Sequence, residues 1–323
     1  MHNPPSVTAI VPIYKAEAYI RRCLDSLAAQ TLKSIEVLLI NDGSPDRSGE
    51  ICEEYAKRFP QFRVIHKANE GVSLTRELGI KQARGEYSIQ IDPDDWIDAD
   101  MFAELYTEAK VRDADMVICD MQIIKKHRTY YSSQKPSELN SKLILGELFT
   151  TLHGSCCNKL VRQSLFEKYH IHYPKELTLC EDLYVTSSLL SHDLRVSYIP
   201  RAFYHYDQTI NSNSIIKHYG RETLEQDLRM FQAFATLAES LGSARSVCLE
   251  RMAQLVVSRA MKSGALSCRD FAKHFGPMAP HILSNPRLKP LRKLKYVAAC
   301  KGYYFLMRPF ILLGRGVRKL IGK

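Results

Sequence analysis

The first 120 residues predict an α/β fold with a mostly parallel central sheet flanked by helices. Short apolar runs rich in Ile and Val alternate there with segments of helical period. Several of these runs are apolar on both faces, as in a sheet that is covered on both sides. Alternation at this spacing favours parallel strands joined by right-handed crossovers. The length of 323 residues suits one large domain or two unequal ones.

Strands and helices follow one another in a regular order. The predicted strands are 7–14, 35–42, 62–67, 87–92 and 115–120. The predicted helices are 17–31, 48–59, 73–84 and 99–112. In the first helix Ile20, Leu24 and Leu27 recur at i, i+4 and i+7, which places them in one apolar stripe. Acidic residues begin the last helix, which suits the positive end of the helix dipole.

Regularity weakens after about residue 125. Residues 125–142 are polar and lack a period, so we predict a loop there. Region 143–215 mixes helices with short strands, and residues 219–266 have a helical pattern.

The net positive charge comes from the C-terminal segment. The net charge of the whole chain is +10. The segment after Asp270 contains twelve Lys or Arg residues and no Asp or Glu. This distribution argues against a general nucleic-acid-binding surface, and we expect no nucleic-acid partner. The tail 285–323 is basic and apolar together, which is typical of segments that contact an anionic membrane peripherally. The alternatives for the tail are a helix that packs on the catalytic domain with a solvated basic face and, after that, RNA binding.

The cysteines and the sequences near the two termini indicate the cellular compartment. Nine cysteines without C-x-x-C spacing favour a reducing environment and buried thiols. The N-terminal residues do not resemble a signal peptide, and the apolar tracts near the C-terminus are interrupted by Lys301, Arg308 and Pro309. We therefore predict a cytoplasmic protein at the inner face of the cell membrane.

Five carboxylates follow the fourth predicted strand within nine residues: Asp92, Asp94, Asp95, Asp98 and Asp100. Like charges at this density repel, so positive groups must lie close to them. Ligands of open parallel sheets bind beyond the carboxyl ends of the strands, and carboxylates suit Mg²⁺ or Mn²⁺. The first three acids are therefore expected to meet a metal and a diphosphate, and the last two to cap the following helix.

Two common nucleotide-binding folds are excluded at this edge. The first predicted strand is followed by PIYKAEAYI, which contains no glycine, so the G-x-G-x-x-G pattern of dinucleotide binding is missing. The chain also lacks a P-loop. Hydride transfer is therefore a poor interpretation.

Four motifs in this half resemble those of the family-2 glycosyltransferases. AIVPIYKAEAYI is similar to V-P-x-Y-N-x-E-x-x-[IL], and LLINDGSPD to D-G-S-x-D. NEGVSLTRELG is similar to N-x-G-x-S-x-A-R-N-x-G, and IDPDDW to D-x-D-D-W. Their order and spacing match the family over about a third of the chain. Beyond residue 150, CCNKLVRQSLF, CEDLYVTSSLL and AFYHYDQT resemble the family's K-L, E-D and Y-x-Y elements.

The resemblance implies the GT-A fold and a division of the chain. A catalytic domain would span 1–218, with a nucleotide-sugar half at 1–122 and an acceptor half at 143–218. A helical region at 219–323 would follow and end in the basic tail.

The resemblance also implies how the donor is bound. Asp42 would accept hydrogen bonds from uracil, Pro12 and Tyr14 would shape the slot for that base, and Arg76 would help hold the nucleotide. Lys15 stands where the family usually has Asn.

The remaining roles concern the diphosphate and the reaction. Asp92 and Asp94 would meet the ribose and the metal-bound diphosphate, and Asp95 would share the Mn²⁺ or Mg²⁺ or face the donor sugar. Asp182 would be the general base, with Glu181 beside it. Pro93 fills the variable position of the D-x-D element.

The implied activity is that of a metal-dependent inverting hexosyltransferase. One sugar would pass from a UDP-sugar to an acceptor hydroxyl of a surface glycan, either a polysaccharide or a lipid-linked glycan. Two alternatives stay open. One is a nucleotidyltransferase, and the other is a non-catalytic protein that binds nucleotide sugars on the same scaffold.

Overall fold

The computed structural model describes residues 4–210, 220–263 and 265–306. The chain divides into two compact units, residues 1–212 and 213–323. The boundary expected after residue 218 and the part of the basic tail from residue 307 onward lie outside the described residues.

A nine-stranded sheet runs through the described part of the first unit. In chain order its strands are β1 (Val7–Ile13), β2 (Ile35–Asp42), β3 (Phe62–Lys67), β4 (Tyr87–Gln90), β5 (Trp96–Ile97), β6 (Met116–Lys125), β7 (Arg128–Ser132), β8 (Lys159–Arg162) and β9 (Val196–Asp207). Across the sheet the order is β3-β2-β1-β4-β8-β6-β9-β5, and β7 pairs with β6.

Parallel pairing holds in one half of the sheet and mixed pairing in the other. β3, β2, β1 and β4 are mutually parallel, and Val7 lies opposite both Ile35 and Tyr87. β8 is antiparallel to β4 and β6, whereas β6 and β9 are parallel. The predicted α/β class is confirmed. The strands beyond β4 make the whole sheet mixed.

Helices of the first unit connect these strands. They are α1 (Ile20–Ala28), α2 (Ser48–Arg58), α3 (Val72–Gln82), α4 (Met101–Val111), α5 (Ser141–Leu148), α6 (Ser164–Lys168) and α7 (Glu181–Leu190). The predicted stripe of α1 is buried in the core together with Cys23. Every residue of β1 and β2 is buried, because the sheet is covered on both sides as their sequence indicated.

The predicted loop 125–142 is wrong at its start, where β6 and β7 form a hairpin. Lys125 pairs with Arg128, and Met121 with Ser132. Asp120 anchors the hairpin, since its carboxylate accepts hydrogen bonds from the Tyr131 hydroxyl and from the Gln134 N–H. The sequence showed no strand period because residues 125–129 are exposed on both faces.

The second unit is helical in its described part, as the sequence predicted for 219–266. Its helices are α8 (Arg221–Ala238), α9 (Arg245–Ser263), α10 (Cys268–Phe275), α11 (Ala279–Ser284) and α12 (Pro290–Cys300). Buried side chains such as Phe234 and Val256 form its core. Over the described residues, no helix has the length and apolar character that a membrane crossing requires.

Candidate active site

The carboxyl ends of β1, β2 and β4 meet at one edge of the sheet, since these strands are parallel. The ladder between β1 and β4 stops where the Ile91 N–H donates to the Ile10 carbonyl (2.9 Å). The next position on β1 that could donate is Pro12, which has no N–H. The chain is therefore released from the sheet directly before the acidic loop that begins at Asp92.

Asp42 ends β2 and is buried. Its carboxylate accepts hydrogen bonds from Lys67 Nζ (2.5 Å) and from the backbone N–H groups of Glu70 and Gly71 (2.9 Å each). Asp42 thus holds the loop that leads into α3. The side chain of Tyr14 is 44% exposed at the neighbouring strand end. A contact of these residues with uracil stays a prediction.

The loop after β1 is tied to the loop after β2. The N–H of Lys15 donates to Ser44 Oγ (3.2 Å), and the N–H of Ala16 donates to Ser48 Oγ (2.8 Å). Lys15 has a φ of +53°, a left-handed conformation that Asn adopts more readily than Lys. This backbone requirement is a physical reason for Asn at that place in the family motif.

Arg76 joins the two halves of the site. Its Nη2 donates to Asp92 Oδ1 (2.6 Å) and its Nη1 to Glu181 Oε1 (2.8 Å). The guanidinium is buried, as is Glu181, whereas 28% of the Asp92 side chain is exposed. The predicted nucleotide contact of Arg76 remains untested. Its position in the structure is that of a bridge between two carboxylates.

Glu181 and Asp182 begin α7 but differ in environment. Burial raises the pKa of Glu181 to about 7, against the opposing effect of Arg76, and the neighbouring charge of Asp182 adds to the rise. Asp182 is partly exposed, and its Oδ1 accepts a hydrogen bond from the Leu183 N–H (2.7 Å). Of this predicted pair, Asp182 is therefore the carboxylate that solvent reaches more easily.

A thiol and a phenol support Asp92. Cys157 Sγ donates to Asp92 Oδ2 (3.3 Å), and the backbone N–H of Asp92 donates to the Tyr204 hydroxyl (3.3 Å). Cys157 and Tyr204 are almost fully buried. The carboxylate of Asp92 is thus oriented by Arg76 and Cys157, and its backbone by Tyr204.

Asp95 lies behind the loop and is fully buried. Its Oδ2 accepts from the Tyr204 hydroxyl (2.5 Å) and its Oδ1 from the Asp207 N–H (2.8 Å). Burial raises the pKa of Asp95 to about 8, and the charges of Asp92 and Asp94 add to the rise. Both oxygens of Asp95 therefore have a protein donor, and the predicted contact of Asp95 with the metal or the donor sugar remains untested.

Arg22 supports the other side of the loop. Its guanidinium lies 3.8 Å from the centre of the Trp96 ring and donates to the Asp94 carbonyl (2.7 Å). It also pairs with Asp207 (2.9 Å). The Trp96 ring stacks on His205 with centres 5.0 Å apart and planes within 4°. The aromatic residue after the acids is therefore held between two groups that can carry positive charge.

The expectation that Asp98 and Asp100 cap the helix α4 is wrong for their side chains. Asp100 stands at the N-cap position without a side-chain capping bond. Its carboxylate instead pairs with Arg201 (2.6 Å), and Asp98 accepts from His205 Nε2 (2.7 Å). These partners come from β9, which the local helix pattern does not reveal.

Sequence reasoning missed several of these supporting residues, among them Arg22, Cys157 and Asp207. Lys159, which the sequence predicted either to contact phosphate or to be solvated, is buried. Its Nζ donates to the carbonyls of His153 (2.9 Å) and Ser155 (2.6 Å), which fixes the turn before Cys157. The Y-x-Y element pointed to the region of Tyr204 without giving its partners.

Comparison with known proteins decides the family. The model of Glycosyl transferase family 2 matches residues 8–170. The chain belongs to this family. It is a glycosyltransferase, and the resemblance drawn from its motifs is confirmed.

Two relatives illustrate the range of this similarity. EpsH of Bacillus subtilis, whose name describes a glycosyltransferase, is 34% identical over 242 residues, which cover 73% of this chain and 70% of EpsH. The minor teichoic acid biosynthesis protein GgaB of Bacillus subtilis is 28% identical over 62% of this chain and 22% of GgaB.

A solved structure shows the fold. S. aureus TarS, in complex with UDP, superposes with a TM-score of 0.69 at 20% identity, over 94% of this chain and 91% of that one. A complex of TarS with UDP-GlcNAc matches with a TM-score of 0.68 at 19% identity, over 96% and 92% of the two chains. The glycosyltransferase therefore has the GT-A fold that its motifs implied, with a helical C-terminal region.

Proposed function

We propose that this glycosyltransferase moves one hexosyl residue from a UDP-sugar to an acceptor hydroxyl of a surface glycan, with inversion at the anomeric carbon. The observation that carries the proposal is the link between two groups of acids. Arg76 contacts Asp92 of the D-x-D element and Glu181, which directly precedes Asp182. A donor-binding loop and a partly exposed carboxylate are thereby held together.

The donor half of the proposal concerns the strand ends. Asp42, Pro12 and Tyr14 lie at the carboxyl ends of β1 and β2 and would receive the uracil ring. The complexes of TarS with UDP and UDP-GlcNAc support a uridine donor. The name of GgaB supports a surface glycan as the product.

The acids fit a divalent metal, Mn²⁺ or Mg²⁺. Such ions take one or two carboxylates and complete their shell with substrate phosphates. Within the described part of the chain no three ligand side chains form a ready cage. Asp94 is partly exposed and would hold the ion together with the substrate phosphates. Asp92 and Asp95, whose oxygens accept hydrogen bonds from protein donors, would support the loop. When bound, the metal would stabilise the charge of the leaving diphosphate.

Asp182 would act as the general base. It would accept the proton of the acceptor hydroxyl while that oxygen attacks the anomeric carbon from the side opposite the nucleotide, so the configuration inverts. A placed base of this kind contributes about 10²–10⁴-fold to the rate. Arg76 and Glu181 would hold α7 at the correct distance from the donor loop.

We also propose that the second unit contacts an anionic membrane, at the inner face of which the enzyme would meet lipid-linked acceptors. The helix α12 buries Tyr296, Ala299 and Cys300. Its outer face carries Leu291 and Leu294, each 66% exposed. Outer faces of packed helices are normally polar, so this apolar face suits the headgroup region.

Six basic residues and no acidic ones lie between positions 287 and 301, which adds attraction to anionic lipids. We expect the L291S/L294S variant to lose binding to vesicles containing phosphatidylserine. The matched control is L139S/L143S, two exposed leucines of the first unit. Equal sedimentation of wild type and L291S/L294S with the vesicles would contradict the membrane proposal.

A screen of UDP-sugars for UDP release, with and without Mn²⁺, tests the transfer activity. We expect D94N to lose both UDP binding and transfer, and D182N to bind UDP normally but to lose transfer. The control is D100N, because the Asp100 carboxylate pairs with Arg201 and has no role in the proposed reaction.

The product identifies the reaction class. Label from the sugar should appear in the product, whereas label from the nucleotide would indicate a nucleotidyltransferase. A protein that binds UDP-sugars but never releases UDP would be a non-catalytic binder. Normal transfer by D182N would refute the assignment of the base.

A further inference from the structure

The tip of the β6–β7 hairpin carries a compact group of basic residues. Lys125, Lys126, His127 and Arg128 are consecutive and exposed. Among the described residues, no carboxylate forms an ion pair with any of the four. We call these four residues the basic tip. Charges of one sign without compensation on a short turn attract an anionic partner.

The register of the sheet places the basic tip close to the acidic loop. Ile124 lies opposite Asp207 in the pairing of β6 with β9, and the Gln208 N–H donates to the Ile124 carbonyl (2.9 Å). The N–H of the same Asp207 donates to Asp95 (2.8 Å). The basic tip therefore begins one residue after Ile124, which lies opposite the β9 residue that donates to Asp95.

An aromatic ring orients two of the cations. Arg128 lies 4.3 Å and Lys125 5.3 Å from the centre of the Tyr130 ring. Cation–π contacts of this kind restrict long side chains that would otherwise be mobile. The two charges are thus kept on one side of the hairpin, which lowers the entropic cost of binding a partner.

We propose that the basic tip is a subsite for phosphate groups of the acceptor glycan. This inference rests on the proposed transfer to a surface glycan and names the chemical class of its acceptor. Asp92, Asp94 and Asp182 would repel an anionic chain that approaches the site. A cationic surface beside them would hold the phosphodiesters of the chain while a sugar hydroxyl reaches Asp182.

A membrane is a poorer partner for this particular surface. Membrane-binding segments combine basic charge with exposed apolar side chains. The basic tip itself has no apolar residue, and the exposed Tyr131 nearby donates its hydroxyl to Asp120. In the second unit, by contrast, Leu291 and Leu294 supply such side chains.

The test measures binding of a synthetic glycerol phosphate hexamer, with maltohexaose as the neutral counterpart. We expect wild type to prefer the phosphate oligomer and to lose this preference as salt increases. The K125Q/K126Q/R128Q variant should bind the oligomer about tenfold more weakly, as expected for three exposed charge contacts. Fluorescence of Trp96 and thermal unfolding would show that the variant remains folded.

A matched control is K57Q/R58Q. Lys57 and Arg58 are also consecutive and exposed, and Arg58 also lies over an aromatic ring, that of Phe59 (5.0 Å). They end α2, which connects the carboxyl end of β2 to the amino end of β3, so they lie at the opposite edge of the sheet. This pair should bind the oligomer as wild type does.

Several results would overturn the inference. These are wild-type affinity in the triple variant, an equal loss in K57Q/R58Q, or equal affinity for a single-stranded oligonucleotide with the same number of phosphates. Loss of binding to phosphatidylserine vesicles without loss of oligomer binding would assign the basic tip to the membrane instead. Failure of wild type to bind any UDP-sugar would refute the proposed function separately, since that measurement does not involve the basic tip.

Discussion

Replacing Glu181 by Gln tests the electrostatics of the buried bridge. The amide keeps the shape of the side chain and can accept the hydrogen bond from Arg76 Nη1, now 2.8 Å long. It cannot ionise. The variant therefore removes one titratable group from the centre of the site and leaves most of the packing in place.

The expected effect follows from the pKa of Glu181, which burial raises from 4.5 to about 7. Between these values the unfolded chain has released the proton that the folded chain keeps. The free energy of unfolding of wild type therefore falls as pH rises through this window. The pKa difference corresponds to about 3 kcal/mol, with no discount for solvent because the side chain is buried.

Urea unfolding at a series of pH values from 5 to 8 provides the assay. Trp96 is the only tryptophan of the chain and lies in the first unit, so its fluorescence reports the unfolding of that unit. We expect the stability of E181Q relative to wild type to increase steadily with pH across the window. The control is E50Q, which replaces an exposed carboxylate. Its free energy of unfolding relative to wild type should change by less than about 0.5 kcal/mol between pH 5 and pH 8. A difference between E181Q and wild type that stays constant with pH would refute the reasoning.

The remaining predictions concern single contacts. Lys15→Gly should raise the free energy of unfolding by about 1 kcal/mol, because the φ of +53° strains a lysine but not a glycine; an unchanged or lower thermal midpoint would contradict this. Tyr204→Phe should lower the free energy of unfolding by about 1–3 kcal/mol, because the buried Asp95 loses its hydroxyl donor. The midpoint of urea unfolding measures this loss, and a midpoint equal to that of wild type would show that the hydroxyl contributes nothing.

The sequence was sufficient to predict those parts of the structure that depend on a single local rule. β1 and β2 coincide with apolar runs because both of their faces are buried, which leaves no other place for such residues. Asp42 and Asp92 were located correctly at strand ends, since the carboxyl ends of parallel strands share an edge. The hairpin after β6 was missed because its exposed residues are polar on both faces and show no period.

Long-range partners were beyond sequence reasoning. Asp98 and Asp100 satisfy the local rule for acids at a helix start, yet their side chains turn to His205 and Arg201. Those contacts depend on the register of β9, about a hundred positions away in the chain. Asp95 reads as one more acid of a metal motif, and only the position of Tyr204 and Asp207 reveals that its oxygens are already engaged.

The pairing of the acids resolves how so many carboxylates persist in one short loop. Asp98 and Asp100 are balanced by β9, and Asp92 by Arg76. Because Arg76 also neutralises Glu181, the donor loop and the start of α7 share one cation instead of repelling each other. Asp94 and Asp182 stay partly exposed on either side of this link. These are the two positions at which the proposed reaction needs a cation and a proton acceptor.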